Sequence, residues 1–314
     1  MTKFVLGRIV SALPTLFLVS LLVFMLVRLT GTDPVAQILG EGAGQDQRDE
    51  LSRQLGLQEP LWQQFTDWLA AALQGDLGAS LYTGVPVAES ISQRLGITLS
   101  LSLAGMAVAL LAGIPLGLLG ALRPGSVPDR LLTVLVALGL ALPSFWVALL
   151  LALTFAVELE WLPAVGYTPL GEDPGMWVQS LVLPALALGL STASVVARQT
   201  RSATIEALES PYVQSLRARG VSRRRIVLKY ATKNAMVPVL AVLAVQMSVL
   251  VAASFVIERI FAIPGLGTLL IDSVVRADYP VLQGSIVVVA LIVLGVNLAV
   301  DILYGIVNPK VRPQ

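Results

Sequence analysis

Six long uncharged runs of apolar residues dominate the chain. They cover residues 9–27, 95–122, 131–157, 174–197, 234–257 and 279–300. Each run is long enough to cross the hydrocarbon layer of a bilayer as a helix, which takes about 17 to 25 residues. The runs are continuously apolar and do not alternate, and helices satisfy their own backbone polar groups, so helices are favoured over barrel strands. The pattern therefore predicts an all-α, polytopic membrane protein with six transmembrane helices.

Composition supports a membrane protein and narrows its chemistry. Of the 314 residues, 56% are hydrophobic and 13% are charged, whereas soluble domains are about half apolar and a quarter charged. The chain contains no cysteine and no histidine, which excludes disulfides, thiolate nucleophiles, a Ser-His-Asp triad and metals held by His or Cys. The sequence also lacks a Gly-rich phosphate loop and an acidic cluster with metal-ligand spacing. We therefore predict no catalytic residue and no metal site.

Basic residues are distributed unevenly among the segments that join the runs. If the amino terminus is placed in the cytoplasm, 15 of the 21 Lys and Arg residues fall in cytoplasmic segments, and 16 of the 20 acids fall outside. An excess of Lys and Arg marks the cytoplasmic side of a membrane protein. Because six is an even number of spans, both termini are then cytoplasmic. The first run exceeds the apolar part of a secretory leader, about 7 to 15 residues, so we expect it to remain as a helix.

A polar segment, residues 28–94, separates the first two runs and lies outside in this topology. Within it, Trp62, Phe65, Leu69 and Leu73 are spaced by three and four residues, as on one face of a helix. This face fits either a small helical cap on the outer mouth or a docking surface for an extracytoplasmic partner. The predicted divisions are a first span at 1–30, an extracytoplasmic helical segment at 31–94 and a core domain of five spans at 95–314.

A strongly basic stretch, SPYVQSLRARGVSRRRIVLKYATKN at 210–234, separates two runs on the predicted cytoplasmic side. It carries seven basic side chains and no acid. Ser210 is a favourable N-cap and Pro211 a favourable first helical residue, whereas Gly220 favours the left-handed turn that ends a helix. Ser222 is a favourable N-cap for a second helix. The stretch therefore predicts two short amphipathic helices bent at Gly220.

Three functions fit a basic helical stretch in the cytoplasm. The helices could lie on anionic membrane lipid, bind nucleic acid as a helix-turn-helix, or dock in a groove of a cytosolic subunit. A nucleic-acid module needs a packed core, which about thirty residues tethered between two spans do not supply. We therefore expect no nucleic-acid binding, and the residue pattern leaves lipid contact and protein docking open.

Positions in this stretch and blocks along the whole chain follow the pattern of a known family. In the stretch they are Tyr212, Val213, Ala218, Arg219, Gly220, Val221, Ser222, Lys233, Asn234, Ala235 and Pro238. Elsewhere they are GTDP (31–34), GDLGAS (75–80), GIPLG (113–117), PSFW (143–146), WLPAVGY (161–167), ERIFAIPGLG (258–267), DYPVLQG (278–284) and NLAVDILYGIVNPKVR (297–312). The chain resembles ABC-importer permeases of the dipeptide/oligopeptide/nickel family. It departs from the general permease motif, which has Glu-Ala-Ala where this chain has Gln214, Ser215 and Leu216.

The resemblance implies a type I ABC-importer permease fold and a place in a larger transporter of the bacterial inner membrane. The implied partners are a homologous second permease subunit, two cytosolic ABC ATPase subunits and an extracytoplasmic substrate-binding protein. ATP and Mg²⁺ would bind to the ATPase subunits, so this chain would hold no cofactor and would not be an enzyme. The implied substrates are di- or oligopeptides or, alternatively, nickel, metal chelates or other small solutes.

Two sets of residues are candidate functional sites under this resemblance. The ATPase-coupling residues, within a loop at 203–234, would be Tyr212, Val213, Gln214, Ser215, Leu216, Arg217, Ala218, Arg219, Gly220, Val221 and Ser222. Candidates for the lining of the translocation path are Ser144, Trp146, Gln199, Gln246, Ser248 and Asn297. Polar groups in spans are costly against lipid, so they either face a pore or hydrogen-bond to another helix, and both possibilities stay open.

An ion-coupled secondary carrier is the alternative from another functional class. Such carriers usually contain internal repeats and intramembrane acids. No charged residue lies in the middle of any of the six runs, and the sequence has no clear repeat. The pattern therefore favours a permease that is driven by partner ATPases.

Overall fold

The computed structural model of the protein describes residues 2–29, 34–40 and 42–307. Within these ranges the structure is helical, apart from turns, loops and one isolated antiparallel bridge between Ala79 and Pro86. The domain boundary predicted between residues 30 and 31 lies outside the described residues, as do residues 308–314 of the predicted core domain.

The helices are numbered in chain order. The amino-terminal part contains α1 (Thr2–Leu29), α2 (Pro34–Leu39), α3 (Gln45–Gln54), α4 (Leu61–Leu73) and α5 (Val87–Leu122). The middle part contains α6 (Val127–Ala141), α7 (Ser144–Leu151), which continues as a π-helix over Ala152–Glu158, α8 (Pro174–Glu209) and α9 (Pro211–Ala218). The last part contains α10 (Arg223–Arg225), a π-helix over Ile226–Ala231, α11 (Thr232–Ile260), α12 (Leu266–Arg276) and α13 (Tyr279–Val307).

Five of the described helical stretches are long and apolar enough to cross a membrane. They are Leu6–Leu29, Val87–Leu122, Pro174–Glu209, Arg223–Ile260 and Tyr279–Val300. A bent pair formed by α6 and α7 brings the number to six if the pair counts as one span. The predicted all-α, multi-span architecture is therefore confirmed for the described residues.

The third predicted run, 131–157, does not form one straight span. It is divided between α6 and α7, and the chain bends by 99° at the break. Leu142 has φ −82° and ψ 123°, an extended geometry that a residue preceding proline favours. Pro143 has no N–H with which to continue the helix. The prediction of one continuous helix at 131–157 is wrong, because the proline in the middle of the run breaks it.

The described helices belong to two compact units. Among the described residues, the first unit comprises 2–5, 97–264 and 295–307, and the second comprises 6–29, 34–40, 42–96 and 265–294. In the first unit, α8 packs against α6, α7 and α11. The apolar core around α8 includes the buried residues Leu101, Val147, Leu181, Leu188, Leu250, Ile257 and Phe261.

Two glycines in the GIPLG block bring α5 and α8 close together. A Cβ atom on Gly117 would lie 2.5 Å from the Ala197 carbonyl oxygen and 2.6 Å from the Thr200 Cβ. One on Gly113 would lie 2.7 Å from the Ala193 carbonyl oxygen. Small residues four apart allow the backbones of membrane helices to approach in this way. The block therefore has a packing function within the first unit.

In the second unit, two apolar clusters hold the helices together. One contains Val87, Ile91, Leu266 and Val281, and the other contains Val23, Val27 and Tyr279. The amphipathic face predicted for α4 is divided. Phe65 is buried, with its ring centroid 5.4 Å from that of Phe24, but Trp62 and Leu73 are 67% and 81% exposed. The face therefore packs partly against α1 and leaves two large apolar side chains uncovered, so the choice between a cap and a docking surface stays open.

Candidate functional site

The predicted coupling residues begin with α9, a helix of eight residues that follows α8 after a single intervening residue. Pro211 is its first residue, as predicted, because a missing N–H costs nothing at that position. Ser210 occupies the N-cap position, but its side-chain oxygen accepts no hydrogen bond from the N–H groups of α9, and its hydroxyl donates to the Ala207 carbonyl oxygen at 2.5 Å. The predicted side-chain cap is therefore wrong, since the end of α8 lies close enough to accept the hydroxyl.

The turn after α9 is the left-handed turn that the sequence predicts. Gly220 has φ +75°. Its N–H donates to the Arg217 carbonyl oxygen at 3.0 Å, and the Val221 N–H donates to that of Leu216 at 3.1 Å. These two bonds form a Schellman motif, which satisfies the carbonyl groups left over at a helix end. Gly220 thus stops α9 and redirects the chain.

The second short helix of the prediction does not exist as a separate element. The helix that begins at Arg223 continues through the π-helical stretch Ile226–Ala231 into α11 and ends at Ile260. Ser222 precedes it but makes no side-chain cap. The sequence pattern placed the start of the apolar run after these basic residues, but charged residues do not prevent a helix. The residues from Arg223 to Ala231 include no glycine or proline, so nothing in them interrupts the helix.

The side chains of α9 divide into an inner and an outer face. Val213 is fully buried and Leu216 is half-buried. The Tyr212 hydroxyl accepts a hydrogen bond from the Asn234 amide at 2.6 Å, which joins α9 to α11. The outer face of α9 consists of the exposed residues Gln214, Ser215, Arg217 and Ala218, and the exposed Arg219 follows directly after the helix. α9 is therefore fastened to the spans on one side and free to meet a partner on the other.

Three arginines and three apolar residues line a groove of about 410 Å³ in the first unit. It is lined by Leu122, Arg123, Arg223, Arg224, Val227 and Leu228. The Arg223 guanidinium donates to the Leu122 carbonyl oxygen at 2.6 Å, which ties the start of the Arg223–Ile260 span to the end of α5. The end of α5 therefore supports the basic stretch where the Arg223–Ile260 span begins.

Two of the six candidate path residues lie together. The Ser248 hydroxyl donates to the Asn297 amide oxygen at 3.2 Å, which links α11 to α13. Helix-helix hydrogen bonding, one of the two possibilities for these residues, is thus present for this pair. Ser144, Gln199 and Gln246 are half-buried and Trp146 is 45% exposed. Among the described residues, no hydrogen bond connects these four to the pair.

Three buried acids form long-range contacts that the sequence reasoning missed. In the first unit, Glu258 is fully buried and accepts a hydrogen bond from the Thr98 hydroxyl at 2.6 Å. In the second unit, Asp278 accepts one from the Ser80 hydroxyl at 2.5 Å and one from the Leu81 N–H at 3.2 Å. Glu258 is the first residue of the ERIFAIPGLG block and Asp278 the first of the DYPVLQG block. The resemblance of these blocks to the family was therefore the sequence signal that could have pointed to both acids.

The third buried acid, Asp129, forms a bidentate ion pair in the first unit. Its carboxylate accepts from Nε of Arg201 at 2.6 Å and from Nη2 at 2.8 Å. The Gly125 N–H donates to the same carboxylate at 2.8 Å. Paired geometry of this kind gives both direction and strength to an ion pair. It fixes the start of α6 against α8, near the end from which α9 departs.

Two family models together match nearly the whole chain. The model described as "Binding-protein-dependent transport system inner membrane component" matches residues 113–313. The model of the amino-terminal part of such membrane components matches residues 1–102.

Individual related proteins and solved structures point to the same family of membrane components. The chain is 39% identical over 312 residues to the glutathione transport system permease protein GsiC of Escherichia coli (strain K12), and 38% identical over 312 residues to a putative peptide transport system permease protein of Brucella abortus (strain 2308). Each alignment covers 99% of both proteins. Two inward-facing crystal forms of the MetNI methionine ABC transporter have a chain of the same fold, with TM-scores of 0.57 and 0.58 and 17% and 18% identity. Each match covers 69% of this chain and 95% or 96% of the other. The chain therefore belongs to the family of binding-protein-dependent transport system inner membrane components, as a multi-pass permease of an ABC importer.

Proposed function

We propose that the chain forms one half of a translocation pore for di- or oligopeptides, together with a homologous second permease subunit. The observation that carries this proposal is the similarity over 99% of the chain to permeases named for peptide and glutathione transport. Polar residues in spans are costly against lipid, and a pore shared by two homologous subunits would give such residues a polar surface to line. Neither of these relatives is named for nickel, so peptides are the favoured substrate class.

In this proposal α9 is the handle by which an ATPase subunit moves the spans. Its exposed face, with Arg217 and the adjoining Arg219, would sit in a groove of the ATPase, and Tyr212 and Leu216, which are only partly buried, would add apolar contact at the rim of that face. Since one residue separates α9 from α8 and Asn234 joins it to α11, a displacement of α9 would pass to both spans as a rigid-body movement. ATP and Mg²⁺ would remain in the ATPases, and this chain would carry no catalytic residue.

The proposed orientation places both termini and α9 in the cytoplasm. The Lys and Arg bias of the connecting segments supports it, because that bias sets the orientation of membrane proteins. The segment with α2, α3 and α4 then lies outside, where the exposed Trp62 and Leu73 are available to a substrate-binding protein. Gln199, Gln246, Ser144 and Trp146 remain proposed pore residues. For Ser248 and Asn297, their mutual bond supports a structural function first.

Purification of the intact complex followed by reconstitution tests this function. The chain, tagged at one end and expressed in its own cells, should co-purify with Walker-motif ATPases and a second permease. In proteoliposomes with the binding protein outside and ATP inside, a labelled dipeptide such as dialanine should accumulate, and excess unlabelled dipeptide should abolish the signal.

Two results would contradict the proposal. One is purification without either an ATPase or a second permease. The other is dipeptide uptake that requires an ion gradient and proceeds without ATP, which indicates a secondary carrier. Accumulation of a nickel chelate in place of dialanine would overturn the substrate class alone.

A further inference from the structure

The groove at the end of α5 combines cationic and apolar residues on both of its sides. On one side, the apolar run of α5 ends at Leu122, and Arg123 is the first charged residue after it. On the other, Arg224 lies about one turn before Leu228, which is 59% exposed. Residues four apart share a face of a helix. Each side of the groove therefore contributes an exposed arginine and a large apolar residue.

The positive charge of this groove is not compensated by neighbouring acids. No carboxylate of the described residues forms an ion pair with Arg123, Arg223 or Arg224. The basic stretch at 210–234 contains no acid, and the buried Asp129 is already paired with Arg201. Guanidinium groups form their strongest hydrogen bonds with carboxylates and phosphates. The groove therefore favours an anionic guest.

The groove lies at the depth where the spans leave the hydrocarbon. The apolar run of α5, one of the helices able to cross the membrane, ends at Leu122, and charged residues gather where the hydrocarbon ends. The Arg223 guanidinium donates to the Leu122 carbonyl oxygen at 2.6 Å, which holds the start of the Arg223–Ile260 span at this depth. Leu228 lies between the arginines and the apolar run that begins at residue 234. The arginines are thus at the level of lipid head groups, and Leu228 extends the groove toward the hydrocarbon.

We propose that this groove binds the phosphate of an anionic membrane phospholipid such as phosphatidylglycerol. Arg123 and Arg224 donate to the phosphate oxygens, and Leu122 and Leu228 contact the glycerol and the start of the acyl chains. At about 30 Å³ per small group, a groove of about 410 Å³ holds on the order of ten such groups, enough for a phosphate and its glycerol. Basic pockets between spans are suited to anionic head groups of this kind.

A lipid matches the groove better than an acidic surface of a partner subunit or a free phosphate ion. Either of these would satisfy the arginines but would leave the exposed Leu228 without an apolar partner. A phospholipid presents phosphate and hydrocarbon in the order in which the groove presents arginine and leucine. No residue of α9 lines the groove, so the site is separate from the proposed ATPase contact. In the orientation proposed above, the lipid belongs to the cytoplasmic leaflet.

The test uses the full chain in detergent micelles, with phosphatidylglycerol or phosphatidylcholine added in steps. Native mass spectrometry counts the lipids that stay bound, and thermal unfolding is followed in the same samples, since a ligand of the native state raises the unfolding temperature. The first phosphatidylglycerol should bind saturably and raise that temperature. Phosphatidylcholine should bind roughly tenfold more weakly, because its choline cancels the phosphate charge.

Single substitutions separate a built site from general attraction to a basic surface. Arg123→Gln and Arg224→Gln each remove one phosphate donor and should weaken phosphatidylglycerol binding by roughly tenfold. Arg225→Gln is the matched control, since Arg225 is exposed on the same turn but does not line the groove. It removes the same charge and should leave binding unchanged. Arg224→Lys should retain most of the affinity, because an ammonium also donates to phosphate.

Without lipid, these four variants should unfold at the wild-type temperature, since their side chains are exposed. The proposal is overturned if phosphatidylcholine binds as tightly as phosphatidylglycerol, or if Arg225→Gln weakens binding as much as Arg224→Gln. It also fails if inorganic phosphate displaces the lipid and stabilises the chain equally, which indicates a soluble ligand. Loss of the anionic lipid from the intact complex, while the isolated chain keeps it, would assign the groove to a subunit interface. None of these readouts depends on transport, so failure of the peptide-import function leaves this result interpretable.

Discussion

Gly220 has a backbone conformation that few residues other than glycine adopt without strain. Its φ of +75° lies in the left-handed region, which costs other residues about 1–2 kcal/mol. A Cβ atom there would meet no other atom within 4 Å. The conformation alone, and not the available space, therefore restricts this position.

We expect Gly220→Val to distort the end of α9 and to lower ATP-driven dipeptide uptake by roughly tenfold while the complex still assembles. ATPase activity measured in parallel should become independent of the binding protein and substrate. Gly220→Asn should retain most of the uptake, since asparagine tolerates the left-handed region. Gly171→Val, at an exposed glycine with open space and an ordinary φ, controls for the added side chain. Uptake at the wild-type rate by both the Val and the Asn variant at position 220 would exclude a function for the turn in transport.

The ion pair of Asp129 and Arg201 acts on whole helices. Asp129 lies near the start of α6 and is 4% exposed, whereas the Arg201 side chain on α8 is about one-third exposed. Removing one partner of a buried pair leaves the other charge uncompensated, which costs about 3–5 kcal/mol when both are buried. Because Arg201 reaches solvent, a smaller cost applies here, about 1–3 kcal/mol.

We expect Asp129→Asn and Arg201→Gln each to lower the thermal unfolding temperature of the purified protein by several degrees. The double variant should be less destabilised than the sum of the two, because each single change already breaks the same contact. Arg198→Gln, at an exposed arginine one turn earlier on α8, is the matched control and should change little. Strict additivity of the two single effects would show that the pair does not couple α6 to α8.

The arrangement of the whole chain in the membrane follows from the proposed orientation and is open to direct measurement. The protein has no cysteine, so a single introduced thiol is labelled without background. Thr66 on α4 and Ser222 after α9 are both exposed positions. They lie on opposite sides of the membrane in the proposed topology.

We expect Thr66→Cys to react with a membrane-impermeant maleimide in intact spheroplasts, and Ser222→Cys to react only after the membrane is permeabilised. The labelled fraction at each site is read from gel mobility or mass. Retained growth or uptake of both variants shows that they insert normally. The reverse labelling pattern would refute the orientation.

Much of the secondary structure could be predicted because it depends on neighbouring residues. Twenty or more apolar residues in succession require a spanning helix wherever they occur, and a glycine after a short amphipathic helix forms the same turn in many proteins. Two local predictions were wrong for local reasons. Pro143 divides the third run, and the helix that begins at Arg223 continues through a charged stretch that the apolar pattern treated as an end.

The polar contacts inside the protein could not be predicted in this way. Asp129 pairs with a residue 72 positions away, Glu258 with one 160 away and Asp278 with one 198 away. Periodicity and capping rules act over a few residues, so they carry no information on which helices become neighbours. Among the described residues of the second unit, buried polar atoms without a hydrogen-bond partner likewise lie on helices that are distant in sequence, namely α1, α4 and α13. Local chemistry was enough to place the spans and the turn at Gly220, whereas the packing of distant helices settled which buried groups meet and which remain without a partner.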